Sequence, residues 1–130
     1  MICLDTNFII DLLNNNSEAV KKVGEIEGEV LATTSINAFE VFCGIYTKKG
    51  NKENELTSFK NLLDNLEIFN FNLNSAFLAS KIKAELQGEG KQISPMDSLV
   101  AGTIFANHCN CILTDDKHFS RIKGLKVESY

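Results

Sequence analysis

The opening stretch Met1-Ile2-Cys3-Leu4-Asp5-Thr6-Asn7 sets an apolar run directly against a carboxylate and two small polar residues. Residues 2–5 read as a short buried strand. Residues 7–14, carrying Phe8, Ile9, Leu12 and Leu13, read as the helix that follows it. Strand, acid and helix entry therefore fall within a few residues of one another. The same unit returns near the other end, where Cys111-Ile112-Leu113-Thr114 runs into Asp115-Asp116.

Between these units, strand-like and helix-like segments alternate. Residues 17–28 form a polar amphipathic helix with Ser17 as its N-cap. Residues 30–33 make a second strand, and Ser35 opens a helix through Tyr46. Residues 51–66 place Leu56, Phe59, Leu62, Leu63 and Leu66 on helical spacing. A third strand covers 68–71. A helix over 74–87 stops at Gly88-Glu89-Gly90. Pro95 starts a helix to about Asn107 with Met96, Leu99, Val100, Ile104 and Phe105 inward. Strands follow at 111–114 and, on an edge, at 125–128. Strands separated by helices imply crossovers and a parallel sheet covered on both faces. The expected fold is α/β: a three-layer α/β/α sandwich around a central, mainly parallel sheet of four to five strands, with residues 1–130 as one domain.

The chain has 130 residues, is 44% hydrophobic and 23% charged, and carries a formal net charge of −4. A general polyanion binder is expected to be basic, so this balance argues against broad nucleic-acid binding. A nuclease gripping phosphate through bound metal and a few lysines remains compatible. Arg121 is the sole arginine, leaving almost no arginine clamp for phosphate. No apolar run reaches the roughly 18 residues of a membrane span. The N-terminus lacks the pattern of a signal peptide. The cytoplasm is the expected location. Cys3, Cys43 and Cys111 lie in apolar segments and read as reduced core thiols. Cys109-Asn110-Cys111 beside His108 lacks the second ligand pair of a structural zinc site.

Four carboxylates stand out: Asp5, Glu40, Asp97 and Asp116. Asp5 could cap the helix after it, and Asn7 could be a turn residue or orient a ligand. Glu40 lies among Ile36, Phe39 and Cys43, with Ala38, Val41, Phe42 and Ile45 on the other stripe. That helix reads as covered nearly all round, where an ionised glutamate is costly unless paired or metal-bound. Asp97 follows Ser94 and Pro95 in something close to a capping box, and its charge suits the helix dipole. The same geometry also holds a carboxylate rigidly at a helix mouth. Of Asp115 and Asp116, one reads as a solvated turn residue. In an open α/β sheet, strand exits converge on one edge where ligands bind. A cluster of like charges there calls for a cation, which makes metal-assisted chemistry the leading expectation.

Leu4-Asp5-Thr6-Asn7, Ser35-Ile36-Asn37-Ala38-Phe39-Glu40-Val41-Phe42-Cys43-Gly44, Pro95-Met96-Asp97-Ser98-Leu99-Val100-Ala101 and Leu113-Thr114-Asp115-Asp116-Lys117-His118-Phe119 occur in that order. In order and spacing across the whole chain they resemble the PIN-domain family, most closely the VapC-type toxins of prokaryotic toxin–antitoxin pairs. The family pattern selects Asp116 over Asp115. The resemblance implies an endoribonuclease dependent on Mg2+ (or Mn2+), with Asp5, Glu40, Asp97 and Asp116 forming the catalytic, metal-holding pocket. It makes Asp5 and Asp97 direct ligands, Glu40 a ligand or a holder of metal-bound water, and Asp116 the support of a second ion. Asn7, Ser35 and Thr114 are candidates to orient those ligands by hydrogen bonds. Lys91 and Lys117 are candidates for contacts with substrate phosphate, whereas His108 and His118 read as surface residues near strand ends. Implied partners are an RNA substrate, a cognate antitoxin protein and a second copy in a homodimer, with no membrane.

Other functions fit less well. A phosphoacceptor receiver domain needs paired acids after its first strand and an acceptor aspartate after a middle one; Thr33 and Phe71 are not acceptors. A haloacid-dehalogenase-type phosphatase needs Asp-x-Asp where this chain has Asp5-Thr6-Asn7. Within the resemblance, the alternatives are a PIN nuclease of RNA processing or DNA metabolism, and a PIN-like binding module without catalysis. The compact length, without appended domains, points to the toxin.

Overall fold

A computed structural model describes residues 1–130. The elements run β1 (Ile2–Leu4), α1 (Thr6–Leu13), α2 (Ser17–Glu25), β2 (Leu31–Thr34), α3 (Ser35–Thr47), α4 (Glu53–Leu63), β3 (Glu67–Phe69), α5 (Leu73–Gly88), α6 (Pro95–Ala106), β4 (Cys111–Leu113), a 3₁₀ helix (Lys117–Arg121) and β5 (Lys126–Glu128). The five strands form one sheet in the order β3-β2-β1-β4-β5, and all four pairings are parallel. β1 is central, with Cys3 and Leu4 in register with Ile112 and Leu113 of β4.

Alternation along the strands sorts the core into two layers. Ile2 and Leu4 of β1, with Cys111 and Leu113 of β4, face Phe8, Ile9, Ala19, Val41, Ile45 and Phe59 of the first four helices. Cys3 and Ile112 face the opposite way, onto Leu86, Val100, Ala101 and Ile104 of α5 and α6. The three-layer α/β/α expectation holds. No helix is long and apolar enough to cross a membrane.

Several local expectations need correction. Asn16, not Ser17, caps α2, its side chain accepting from the Glu18 and Ala19 amides. Once an Asx residue one position earlier takes those amides, the serine becomes the first helical residue. α4 is shorter than residues 51–66, and β2 and β3 are shifted by about one residue against their expected ranges. Cys43 is exposed rather than a core thiol. α3 is not covered all round either, since Phe39 is 59% and Tyr46 58% exposed. Glu40 is therefore half-buried on an open flank, not trapped in an apolar shell. The 3₁₀ helix, five residues long, is too short to leave a periodic signal in the sequence.

The candidate active site and its relatives

From β1 the chain moves to β2 and β3 on one side of the sheet, and later to β4 and β5 on the other. The order therefore reverses between β1 and β4. In such sheets ligands bind beyond the C-terminal ends of the strands flanking that switch. Asp5 follows β1 there, and Thr114-Asp115-Asp116 follows β4.

Asp5 is buried, with 7% exposure. It occupies the N-cap position of α1, yet its side chain caps nothing. Its Oδ2 instead accepts from the Thr114 hydroxyl at 2.6 Å, and its Oδ1 accepts from Asn37 Nδ2 at 3.0 Å. Burial pushes the Asp5 carboxyl above its ordinary value. The Thr114 hydroxyl and a Thr6 backbone bond pull it back, and the charges of Asp97 and Asp116 push it up again.

Asn37 is wholly buried in the first turn of α3. Its Nδ2 also donates to Thr6 Oγ1 at 3.0 Å, and its Oδ1 accepts from the Thr34 hydroxyl at 2.7 Å. Thr6 in turn donates to Glu40 Oε1 at 2.9 Å. One buried amide thus links Asp5 directly, and Glu40 through Thr6, to the end of β2. No buried side-chain polar atom lacks a partner. Asn37 and Thr6 were missed as site residues. The available signal was a lone amide three residues after Thr34 in an otherwise apolar helix start, but that spacing reads equally as a cap. It is both here, because Thr34 Oγ1 accepts from the Asn37 amide at 3.0 Å.

Asp97 stands in the first turn of α6 behind Pro95, with its backbone N–H donating to Ser94 Oγ at 3.1 Å. Ser94 does the capping, so the Asp97 carboxylate is not needed for it. Burial raises the Asp97 carboxyl, a Ser94 bond lowers it, the charges of Asp116 and Glu40 raise it, and His118 lowers it. Asp116 accepts from the His118 backbone N–H at 2.9 Å through Oδ1 and caps the 3₁₀ helix. Its own N–H donates to Thr114 Oγ1 at 3.0 Å. His118 Nδ1 lies 3.2 Å from Asp116 Oδ1. One ligand atom each from Asp97, Asp116 and His118 falls within 4.8 Å of the others. His118 thus joins the site, because the 3₁₀ turn folds it back over Asp116.

The remaining candidates divide. Thr114 bonds Asp5 as expected of an orienting hydroxyl. Ser35 accepts from the Phe71 backbone N–H at 3.1 Å, which ties α3 to the segment after β3 and not to the acids. Asn7 is exposed and donates to Asp115 Oδ1 at 3.4 Å. Lys117 is exposed beside Asp116, and Lys91 pairs with Glu89 at 3.6 Å. His108 is exposed at a positive φ of 58° before β4.

The donor set suits a hard divalent cation. Carboxylate oxygens dominate it, as Mg2+ and Mn2+ prefer, with a single imidazole nitrogen at its edge. Burial is the larger cause of the upward pressure on Asp5 and Asp97, and neighbouring carboxylates add a smaller part that a bound cation would offset.

The PIN-domain family profile matches residues 2–125. The chain belongs to the PIN-domain family. It is 30% identical over 102 residues to Ribonuclease VapC3 of Methanocaldococcus jannaschii, an alignment spanning 78% of this chain and 96% of that protein. It is 24% identical over 127 residues to the tRNA(fMet)-specific endonuclease VapC of Salmonella typhimurium, covering 98% and 96% of the two chains. Among solved structures, VapBC2 from Rickettsia felis, bound to a DNA fragment from its promoter, superposes with a TM-score of 0.87. That match covers 100% of this chain and 99% of the other at 26% identity. The VapC resemblance drawn from the sequence motifs therefore holds.

Proposed function

We propose that this PIN-domain chain is a metal-dependent endoribonuclease, the toxin of a toxin–antitoxin pair. The observation that carries the reading is the meeting of Asp97, Asp116 and His118 within 4.8 Å of one another, beside a buried Asp5 whose carboxyl is pushed up mainly by burial and further by the charges of Asp97 and Asp116. The VapC names of its relatives support RNA as the substrate.

Asp5, Asp97 and Asp116 would hold Mg2+ or Mn2+, with Glu40 a further ligand or a holder of metal-bound water. A bound divalent ion supplies a water of lowered pKa and neutralises charge developing on the phosphodiester. Thr114 and Asn37 hold the two oxygens of Asp5, and Thr6 holds Glu40, so these carboxylates would meet an ion with little reorganisation. Lys117, and Lys91 if released from its exposed and weak pairing with Glu89, would be the candidates to meet substrate phosphate. A site of carboxylates, metal and lysine reads phosphate rather than bases.

The partner is an antitoxin, as in the VapBC assemblies this chain resembles. It would silence the enzyme by covering the acidic edge in the cytoplasm. A homodimer is supported by the large apolar side chains left open on α3 and α5, with Phe39 59%, Leu73 87% and Phe77 64% exposed.

The test is cleavage of a mixed RNA pool with Mg2+ or Mn2+, the product ends being sequenced. Cleavage should need the metal and should vanish in Asp5→Asn and in Asp97→Asn, with loss of Mn2+ binding. Undiminished cleavage by both variants would sink the site.

A further inference from the structure

The sole arginine lies outside the acidic cluster, at the far end of the 3₁₀ helix that Asp116 caps. Its Nη1 donates an exposed hydrogen bond to the Gln92 carbonyl. Gln92 belongs to the α5–α6 connection, two residues before Ser94, whose hydroxyl accepts from the Asp97 backbone N–H. The next carbonyl, that of Ile93, accepts from Lys83 Nζ of α5 at 3.1 Å. Two adjacent carbonyls are thus gripped by cations from two different elements. Lys83 and the buried Ile93 tie the connection to α5 and to the core. Arg121 ties it to the element that carries Asp116 and His118.

We infer that Arg121 is a positioning residue for the acidic site, fixing Asp97 relative to Asp116 through its bond to Gln92. The inference rests on the metal reading above. The 3₁₀ helix is short, anchored in its middle by Phe119 at 0% exposure and fixed at its start by the Asp116 cap. Arg121 at its end bonds the irregular run Gln92-Ile93-Ser94 from which α6 departs. Asp97 and Asp116 come from elements that share no strand pairing with each other. Their separation is set by the shared core packing of Phe119 and Ile122 with Ile93, Val100 and Ile104, to which this tether adds a direct link. A charged donor on a carbonyl is stronger and more directional than a neutral one. Arg121 does not touch the cluster; it acts through Gln92, Ser94 and the α6 mouth.

Charge and tether make opposite forecasts. Removing a cation near a cation site relieves like-charge repulsion and tightens metal binding. Removing a tether lets the ligands spread and weakens it. Lys123 is the control, since it carries the same charge two residues further on. It is 87% exposed and pairs only with Glu89 at 3.7 Å.

The experiment is a Mn2+ titration of the full chain, of Arg121→Gln and of Lys123→Gln, followed by the paramagnetic resonance of free Mn2+, with thermal melts alongside. Arg121→Gln should bind Mn2+ more weakly by about threefold or more, short of the roughly tenfold that losing a direct hydrogen-bond partner of a metal ligand costs. Lys123→Gln should bind as well as wild type or slightly better. Equal or tighter binding by Arg121→Gln overturns the inference, even if its melting temperature drops. Equal weakening in Lys123→Gln overturns it too. If wild type itself takes up no Mn2+, the metal reading falls with it; if wild type and Arg121→Gln bind alike, the tether alone falls.

Discussion

Thr114→Val removes two hydrogen bonds and almost no volume, so its effect can be worked out from the site. The hydroxyl donates to Asp5 Oδ2 at 2.6 Å and accepts from the Asp116 N–H at 3.0 Å, at a residue only 1% exposed. A bond to a charged group contributes about 1.5–3 kcal/mol, and leaving the partly buried Asp116 amide unpaired costs about 1 more, so the loss should be about 3 kcal/mol near neutral pH. For a chain of this size that corresponds to a fall of about 10 °C in melting temperature. The loss should also depend on pH in a defined direction. The Thr114 bond lowers the Asp5 carboxyl against the larger effect of burial. Without it the folded-state value climbs further, and more stability is lost as pH rises through it. The gap between wild type and variant should therefore be narrow at about pH 4 and wide at about pH 7.5, metal absent. Melts across that range are the assay, with Thr114→Ser as the variant that keeps the hydroxyl. A gap below about 0.5 kcal/mol, the size of an ordinary surface change, or one that ignores pH, would refute the assignment of this bond to an ionised Asp5.

Two more outcomes follow from the same structure. Asp97 is held above its ordinary value in the folded protein, so the folded chain keeps a proton that the unfolded chain has released. Stability from this source is present at low pH and is lost as pH rises from about 4, the ordinary carboxylate value, through the raised one. Metal-free Asp97→Asn should gain on wild type over that window in urea melts; a flat or falling difference would contradict it. Gly102 is where α6 meets α5: an added Cβ would lie 2.5 Å from the Ala79 nitrogen and 2.6 Å from the Ser75 oxygen. Gly102→Ala should cost about 3 kcal/mol or more by forcing those helices apart, read as a lower urea midpoint.

The layer order and the sheet were legible because burial on both faces forces apolar strands and the helices between them to alternate. Strand exits were legible for the same reason, and with them Asp5 and Asp116. What escaped was side-chain geometry within a turn. Asn37 sits three residues after Thr34, a spacing that a helix cap explains fully, and nothing in sequence says that its amide also reaches Asp5. His118 meets Asp116 only because the chain makes a 3₁₀ turn, and no periodicity marks five residues. Glu40 was singled out for the wrong reason. Its helix has apolar residues on every side, but Phe39 and Cys43 face outward, and the glutamate is held by Thr6 instead.

The three aspartates at the site show how helix capping and ligand placement are kept apart. Asp116 caps through Oδ1, the oxygen that also faces His118 Nδ1. Asp97 does no capping, because Ser94 takes the amide at its position. Asp5 holds the N-cap position of α1 and declines the role, although a capping side chain contributes about 1 kcal/mol. Both of its oxygens are turned to Asn37 and Thr114 instead. Those two bonds cross from β1 to α3 and to β4, so the carboxylate is fixed by the sheet edge rather than by its own helix. A cap would have pointed the same group back along α1. The orientation that sacrifices the cap faces the charges of Asp97 and Asp116, which raise the Asp5 carboxyl further. The bonds to Thr114 and Asn37 offset the lost cap, so the remaining cost in the metal-free protein is burial plus the repulsion from Asp97 and Asp116, and a bound cation would relieve that repulsion.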